Sequence, residues 1–213
     1  MEELKKFGIN LDNSVLLSTA LTHTSYANEH NCNSYERLEF LGDAVLELVS
    51  SDYIFKSHMY TEGEMSKKRS LYVCENALFE YAKEINLASY IKVGNSISAP
   101  NKTVIADVFE AVIGVMYLEL GLHAVTKFFD DLIVPYIEKN VDFLNDYKST
   151  LQERVQTDKK SVDYVLVKEG GPAHKKFFVV NAVVDGIIFG TGKGASKKEA
   201  EQMAAKEAIK KCV

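Results

Sequence analysis

Apolar side chains recur every three to four positions from Leu4 to about Asn145, then switch to every second position through part of the remaining chain. In the first stretch, Leu38, Leu41, Val45, Leu46 and Val49 mark one face of a helix that Ser34 is placed to cap. A second helix is predicted from about Met65 to Asn86, and a third from about Thr103 to Glu119, closed by Gly121. Pro100 separates these two, and Pro135 interrupts the next helical stretch. No segment here alternates long enough for a strand, so an all-helical domain is expected over residues 1–145.

Beyond Asn145 a short helix is predicted from Tyr147 to about Thr157, with Leu151 and Val155 inward. Val162–Val167 reads as a strand, followed by a Gly170-Gly171-Pro172 turn. Phe178, Val180, Ala182 and Val184 alternate as one strand face, and Asp185-Gly186 is a two-residue hairpin signal leading into Ile187–Gly190. Ser196 caps a last helix, with Glu199 three residues on completing a capping box. The expected fold is multi-domain: all-α over 1–145, then a small α+β domain of order α-β-β-β-α over 146–213.

Charge sharpens this division. Residues 1–145 hold 12 Lys and Arg against 21 Asp and Glu, a net of −9; residues 146–213 hold 13 against 9, a net of +4. An acidic body joined to a basic tail makes the overall −5 a poor guide to partners. No apolar run reaches the roughly 18 residues of a membrane span. Met1-Glu-Glu-Leu-Lys-Lys6 lacks the pattern of an export signal. Cys32, Cys74 and Cys212 are scattered with no Cys-x-x-Cys, which points to a reducing compartment and away from disulfides or zinc. A cytoplasmic protein is expected.

The chemistry lies in two acid pairs on otherwise apolar helices. Glu39 and Asp43 stand four residues apart in Tyr35-Glu-Arg-Leu-Glu-Phe-Leu-Gly-Asp-Ala-Val-Leu46. Asp107 and Glu110 stand three apart in Ile105-Ala-Asp-Val-Phe-Glu-Ala-Val-Ile-Gly114. Each spacing puts both acids on one helical face, where like charges repel and charge beside a core is costly. A shared cation offsets both penalties. Oxygen-only ligands suit Mg²⁺, with Mn²⁺ as substitute, and Mg²⁺ commonly completes its shell with phosphate oxygens. The competing reading pairs these acids with Arg37, Lys67, Lys68 and Arg69. Gly42 and Gly114 favour close helix approach, since small residues here carry a helix-propensity cost. His23 reads as a hydrogen-bonded structural histidine and Cys74 as core, while Arg37 and Lys102 either neutralise the acids or touch phosphate.

The stretch Glu36–Leu46 resembles the signature of the ribonuclease III family, and Ala20-Leu-Thr-His-Thr-Ser-Tyr26 and Ile105–Gly114 resemble its flanking motifs. The resemblance implies a helical endonuclease domain in which Glu39, Asp43, Asp107 and Glu110 bind catalytic Mg²⁺, with Glu36 and Glu62 as supporting acids. It implies a homodimer in which Phe40 enters a socket on the partner, each subunit cutting one strand. It also implies products with 5′-phosphate and 3′-hydroxyl ends and short 3′ overhangs, and processing of ribosomal and messenger RNA precursors.

Residues 146–213 are similar to a double-stranded RNA-binding domain, through Asp146–Glu153, Gly171-Pro-Ala-His174 and Ser196–Ala205. By that resemblance Gln152 and Glu153 meet 2′-hydroxyls in one minor groove and His174 enters the next, while Lys197, Lys198 and Gln202 grip the phosphates between. Lysines in a first helical turn are unfavourable for the helix dipole, which favours a phosphate-binding role for them. Glu201 departs from the family, where a basic residue is common, and implies a weaker clamp. The runner-up reading is a non-catalytic RNA-binding protein on the same scaffold; the intact four-acid set argues against it. No organic cofactor is expected.

Overall fold

A computed structural model describes residues 2–57, 59–144, 147–156, 160–172 and 175–211. The chain divides into two compact units, Met1–Leu144 and Asn145–Val213. The first is built of helices α1 (Glu2–Lys5), α2 (Val15–Ala20), α3 (Thr24–His30), α4 (Glu36–Ser57), α5 (Glu62–Tyr72), α6 (Glu75–Glu84), α7 (Lys102–Leu120), α8 (Leu122–Leu132) and α9 (Val134–Glu138). None among the described residues is long and apolar enough to cross a membrane.

Helix α7 is the axis of this unit. Its residues from Ile105 to Met116 are buried almost without interruption, because it is apolar on nearly every side and is wrapped by its neighbours. Tyr81, Phe109, Phe128 and Phe129 fill the space around it. Asp107 and Glu110 are the acids within this buried stretch, each left half-buried.

The helix expected over Met65–Asn86 is in fact two, α5 and α6, broken at Val73-Cys74. Cys74 takes an extended backbone (ψ 159°) as the N-cap of α6, and its thiol donates to the Leu71 carbonyl. Helix α5 buries Tyr72 and α6 buries Ala77, Leu78, Tyr81 and Ala82, and the apolar residues Leu71–Cys74 span the break, so apolar content alone does not mark it. The helical stretch around Pro135 is interrupted as expected, at Ile133 between α8 and α9, and Pro135 stands in the first turn of α9, where its missing N–H removes no bond of that helix. Ser34 does not cap α4: its hydroxyl donates to Glu36, and the Tyr35 carbonyl receives the N–H groups of Leu38 and Glu39.

The second unit comprises α10 (Tyr147–Gln156), strands β1 (Val162–Gly170), β2 (Phe177–Val184) and β3 (Ile187–Gly194), and α11 (Lys197–Lys211). Thr157, given to the first helix by periodicity, lies outside the described residues. The strands form an antiparallel sheet in the order β1-β2-β3. Asp185 and Gly186 both adopt positive φ (50° and 79°), as the tight hairpin requires. Ala182 and Val184 pack on Leu151 and Val155 of α10 and on Ala204, Ala205 and Ala208 of α11.

Gly190, Gly192 and Gly194 alternate along β3 directly beneath α11. A Cβ at Gly192 would lie 2.1 Å from the Ala200 oxygen and the Ala204 nitrogen. Alternating glycines facing a run of alanines let helix and strand backbones touch, and this replaces a bulky core. Ser196 Oγ accepts the Glu199 N–H (3.2 Å), while the Glu199 carboxylate takes the N–H of Ala195, one residue before the position an ideal capping box uses.

Candidate active site

Helices α4 and α7 cross with their backbones in contact, and the crossing point is the pair of glycines. A Cβ on Gly42 would sit 1.7 Å from the Glu110 carbonyl oxygen, and one on Gly114 would sit 2.4 Å from that of Leu38. No side chain fits between the two helices there. Glu39 and Asp43 on α4 therefore flank Gly42 on one side of the crossing, and Asp107 and Glu110 precede Gly114 on the other.

The consequence is electrostatic. Burial, then Asp43, Glu39, Asp107 and Glu47, push the Glu110 carboxyl up to about 8. Burial, then Asp107, Glu36 and Asp43, raise Glu39 above the ordinary carboxylate range. Asp107 is raised chiefly by burial, and a hydrogen bond from the Tyr35 hydroxyl (3.1 Å) opposes that rise. Each of these influences on Glu39 and Glu110 is upward. Arg69 instead donates to Ser51, and Lys68 lies over the Tyr60 ring. Arg69 and Lys68 are thus engaged away from the four acids, and the charge that does ease Asp107 is that of His23.

The acids share one field without being drawn into a shell. Among the described residues no three His, Cys, Asp or Glu side chains stand ready-made around a common point. Mutual repulsion opposes such gathering until a positive charge compensates it. The donor set itself, oxygen-only and flanked by no histidine or cysteine ligand, fits a hard divalent cation.

Of the supporting acids, Glu36 is exposed at the start of α4 and receives the Ser34 hydroxyl. Glu62 is exposed in the first turn of α5 and receives that of Ser66. Phe40 projects from α4 with 81% of its surface exposed. His23 is structural: Nδ1 accepts the Ser25 N–H as the cap of α3. Lys102 bonds Asn76 and pairs with Glu75 at 3.6 Å, bridging α6 and α7.

In the second unit Lys197 and Lys198 are exposed in the first turn of α11, with Lys197 3.9 Å from Glu169. Glu153 is exposed on α10. Gln152 accepts from the Val162 N–H (3.4 Å), and Gln202 from that of Lys148 (3.1 Å). Both glutamines thus brace the domain internally. His174 lies outside the described residues. Glu201 is paired with Lys148, whose ammonium also covers the Tyr164 ring (4.5 Å). Its negative charge is compensated locally, by a lysine 53 residues away to which no sequence pattern pointed. Tyr35 was likewise missed; its phenol standing immediately before the first acid helix was the available signal.

A family model described as Ribonuclease-III-like matches residues 13–137, and one for the double-stranded RNA binding motif matches 147–212. Ribonuclease 3 of Streptococcus pyogenes is 44% identical over 98% of this chain and 96% of its own length. Ribonuclease 3 of Onion yellows phytoplasma is 42% identical over 95% and 87% respectively. The nuclease domain of ribonuclease III from Campylobacter jejuni superposes with a TM-score of 0.57 at 34% identity, covering 66% of this chain and 95% of that one. A second structure of that domain, described for flexibility in the region involved in dimer formation, gives a TM-score of 0.57 at 32% identity, over 62% of this chain and 94% of that one. With motifs, fold and near full-length similarity in agreement, this chain belongs to the ribonuclease III family of endoribonucleases.

Proposed function

We propose that the protein is a Mg²⁺-dependent endoribonuclease that hydrolyses phosphodiester bonds of double-stranded RNA, leaving 5′-phosphate and 3′-hydroxyl ends with short 3′ overhangs. Residues 1–145 act as the endonuclease domain and 146–213 as the RNA-binding domain. Precursors of ribosomal and messenger RNA in the cytoplasm are the substrates that suit a family member. The observation that carries this reading is the close crossing of α4 and α7, which sets the Glu110 carboxyl among neighbouring acids that push it up. A fold that maintains so unfavourable a cluster gains from it only when a cation is bound.

Glu39, Asp43, Asp107 and Glu110 hold the ion, with Mn²⁺ an acceptable substitute. A divalent cation in such a site lowers the pKa of bound water and offsets charge on phosphate oxygens. The four carboxylates orient that charge, and Glu36 and Glu62 extend the negative rim toward the substrate. Lys197 and Lys198, with Gln152, Glu153, His174 and Gln202, position the duplex.

The active form is a homodimer. On α4, Phe40, Leu48 and Phe55 are exposed apolar side chains, and an open cavity of about 380 Å³ beside them is lined by Leu48, Ile54, Phe55 and Met65. A second copy supplies a Phe40 for such a recess and receives one in return, the self-complementary arrangement of a two-fold interface.

Incubating the purified protein with a long synthetic RNA duplex tests the reading directly. Cleavage to short duplexes in Mg²⁺, and none in EDTA, is expected; binding without cleavage under both conditions would favour the non-catalytic alternative. The double variant Lys197→Ala/Lys198→Ala is expected to weaken duplex binding. The slope of log affinity against log salt then becomes shallower by about 2, near 0.9 per lost phosphate contact. An unchanged slope would remove these lysines from the clamp.

A further inference from the structure

We infer that Tyr35 is a positioning residue that ties the two acid motifs together and sets the orientation in which Asp107 meets the cation. The inference rests on the metal-dependent reading above and names a residue that reading does not use.

Tyr35 is 5% exposed and anchored from three directions. Its N–H donates to the Thr22 carbonyl (3.0 Å), and Thr22 is itself buried and bridged to Lys92. Its carbonyl accepts the N–H groups of Leu38 (2.8 Å) and Glu39 (2.9 Å), so it opens α4 and fixes the backbone of the first acid. Its hydroxyl crosses to α7 and donates to Asp107 Oδ2 at 3.1 Å. The His23 ring stands beside it, with centroids 5.9 Å apart. All three sequence motifs therefore meet at this one residue, through its backbone and its side chain together.

The bond suits ligand orientation. A phenol donating to Oδ2 fixes the plane of the carboxylate and leaves Oδ1 for another partner. It also satisfies the acid without cancelling its charge; an arginine or lysine in this place would neutralise Asp107 and compete with the ion. Hydrogen bonds behind a metal ligand typically change metal affinity 10- to 100-fold when removed.

The test uses the full chain and the Tyr35→Phe variant, which keeps the ring and deletes the donor. Mn²⁺ binding is followed by electron paramagnetic resonance at a temperature where circular dichroism shows both proteins folded. Mn²⁺ affinity in the variant is expected to fall about tenfold, with the Mg²⁺ midpoint for duplex cleavage rising by the same factor and duplex affinity in EDTA unchanged. In an Asp107→Asn background, Tyr35→Phe should cause no further loss of Mn²⁺ affinity. A variant that only melts earlier, with native Mn²⁺ affinity and Mg²⁺ midpoint, would overturn the inference and leave the metal-dependent reading standing. A native protein that binds no Mn²⁺ and cleaves in EDTA would overturn both.

Discussion

Glu110→Gln is expected to abolish duplex cleavage while making the metal-free protein more stable. The rate loss should be about a thousandfold or more, equivalent to roughly 4 kcal/mol of transition-state stabilisation. Duplex binding should remain near that of the native chain, since the proposed clamp lies in the other unit. The stability gain follows from linkage. Folding raises this carboxyl from an ordinary 4.5 to about 8, so the folded state holds the proton more tightly than the unfolded one. The stability contributed by this group is then full below about pH 4.5 and is lost as pH rises through 8. The Glu39 and Asp107 carboxyls are raised too and act in the same direction.

Because Glu110 is only partly buried, solvent screening reduces the full linkage energy to about 2 kcal/mol at pH 8. Gln carries no charge to lose. The variant should therefore melt roughly 5 °C higher than the native chain at pH 8 without divalent ions, and at nearly the same temperature at pH 4.5. Mg²⁺ should stabilise the native protein against heat and have little effect on the variant. Scanning calorimetry at the two pH values, with and without Mg²⁺, reads all of this. A variant that cleaves normally, or one that melts lower than the native chain at pH 8, would remove Glu110 from the centre of the cluster.

Gly42→Ala should have the largest effect of any single methyl group added to the first unit. The new Cβ would start 1.7 Å from the Glu110 carbonyl oxygen and 2.9 Å from the Gly114 nitrogen, both backbone atoms that cannot turn aside. Relief requires the two acid helices to separate. Forced overpacking of this kind costs about 3 kcal/mol or more, a fall of roughly 10 °C in melting temperature. Separation of the helices by about 1 Å also spreads the carboxylates, and misplacement on that scale costs about a hundredfold in rate. Gly63 in α5 is the control: nothing lies within 4 Å of a Cβ there, so Gly63→Ala should fold and cut normally. A Gly42→Ala protein with native melting and native activity would show that α4 and α7 do not pack as described.

How much of this was visible in the linear chain differs from element to element. The order α-β-β-β-α was legible because strand alternation at Phe178–Val184 and the Asp185-Gly186 turn are local signals, and the sheet obeys them. The break at Val73-Cys74 was not, because it falls in the apolar run Leu71–Cys74, which holds no Gly, Pro or capping side chain. Ser34 was placed as a cap on residue type alone, yet its hydroxyl found a better acceptor in the nearby Glu36 carboxylate. The pairing of Glu201 with Lys148 was not legible either, because it joins two helices 53 residues apart.

Taken by itself, the sequence determined which residues carry charge on apolar helices, where two acids share a face, and where one folding unit gives way to the next. These properties depend on neighbours within a turn or two of helix. Only the tertiary structure decided that Gly42 meets Glu110 backbone to backbone, that Tyr35 reaches Asp107 across 72 residues, and that neighbouring acids from two helices push the Glu110 carboxyl up. Those contacts join segments far apart along the chain, and their energies come from close approach and shared burial, which no local pattern encodes.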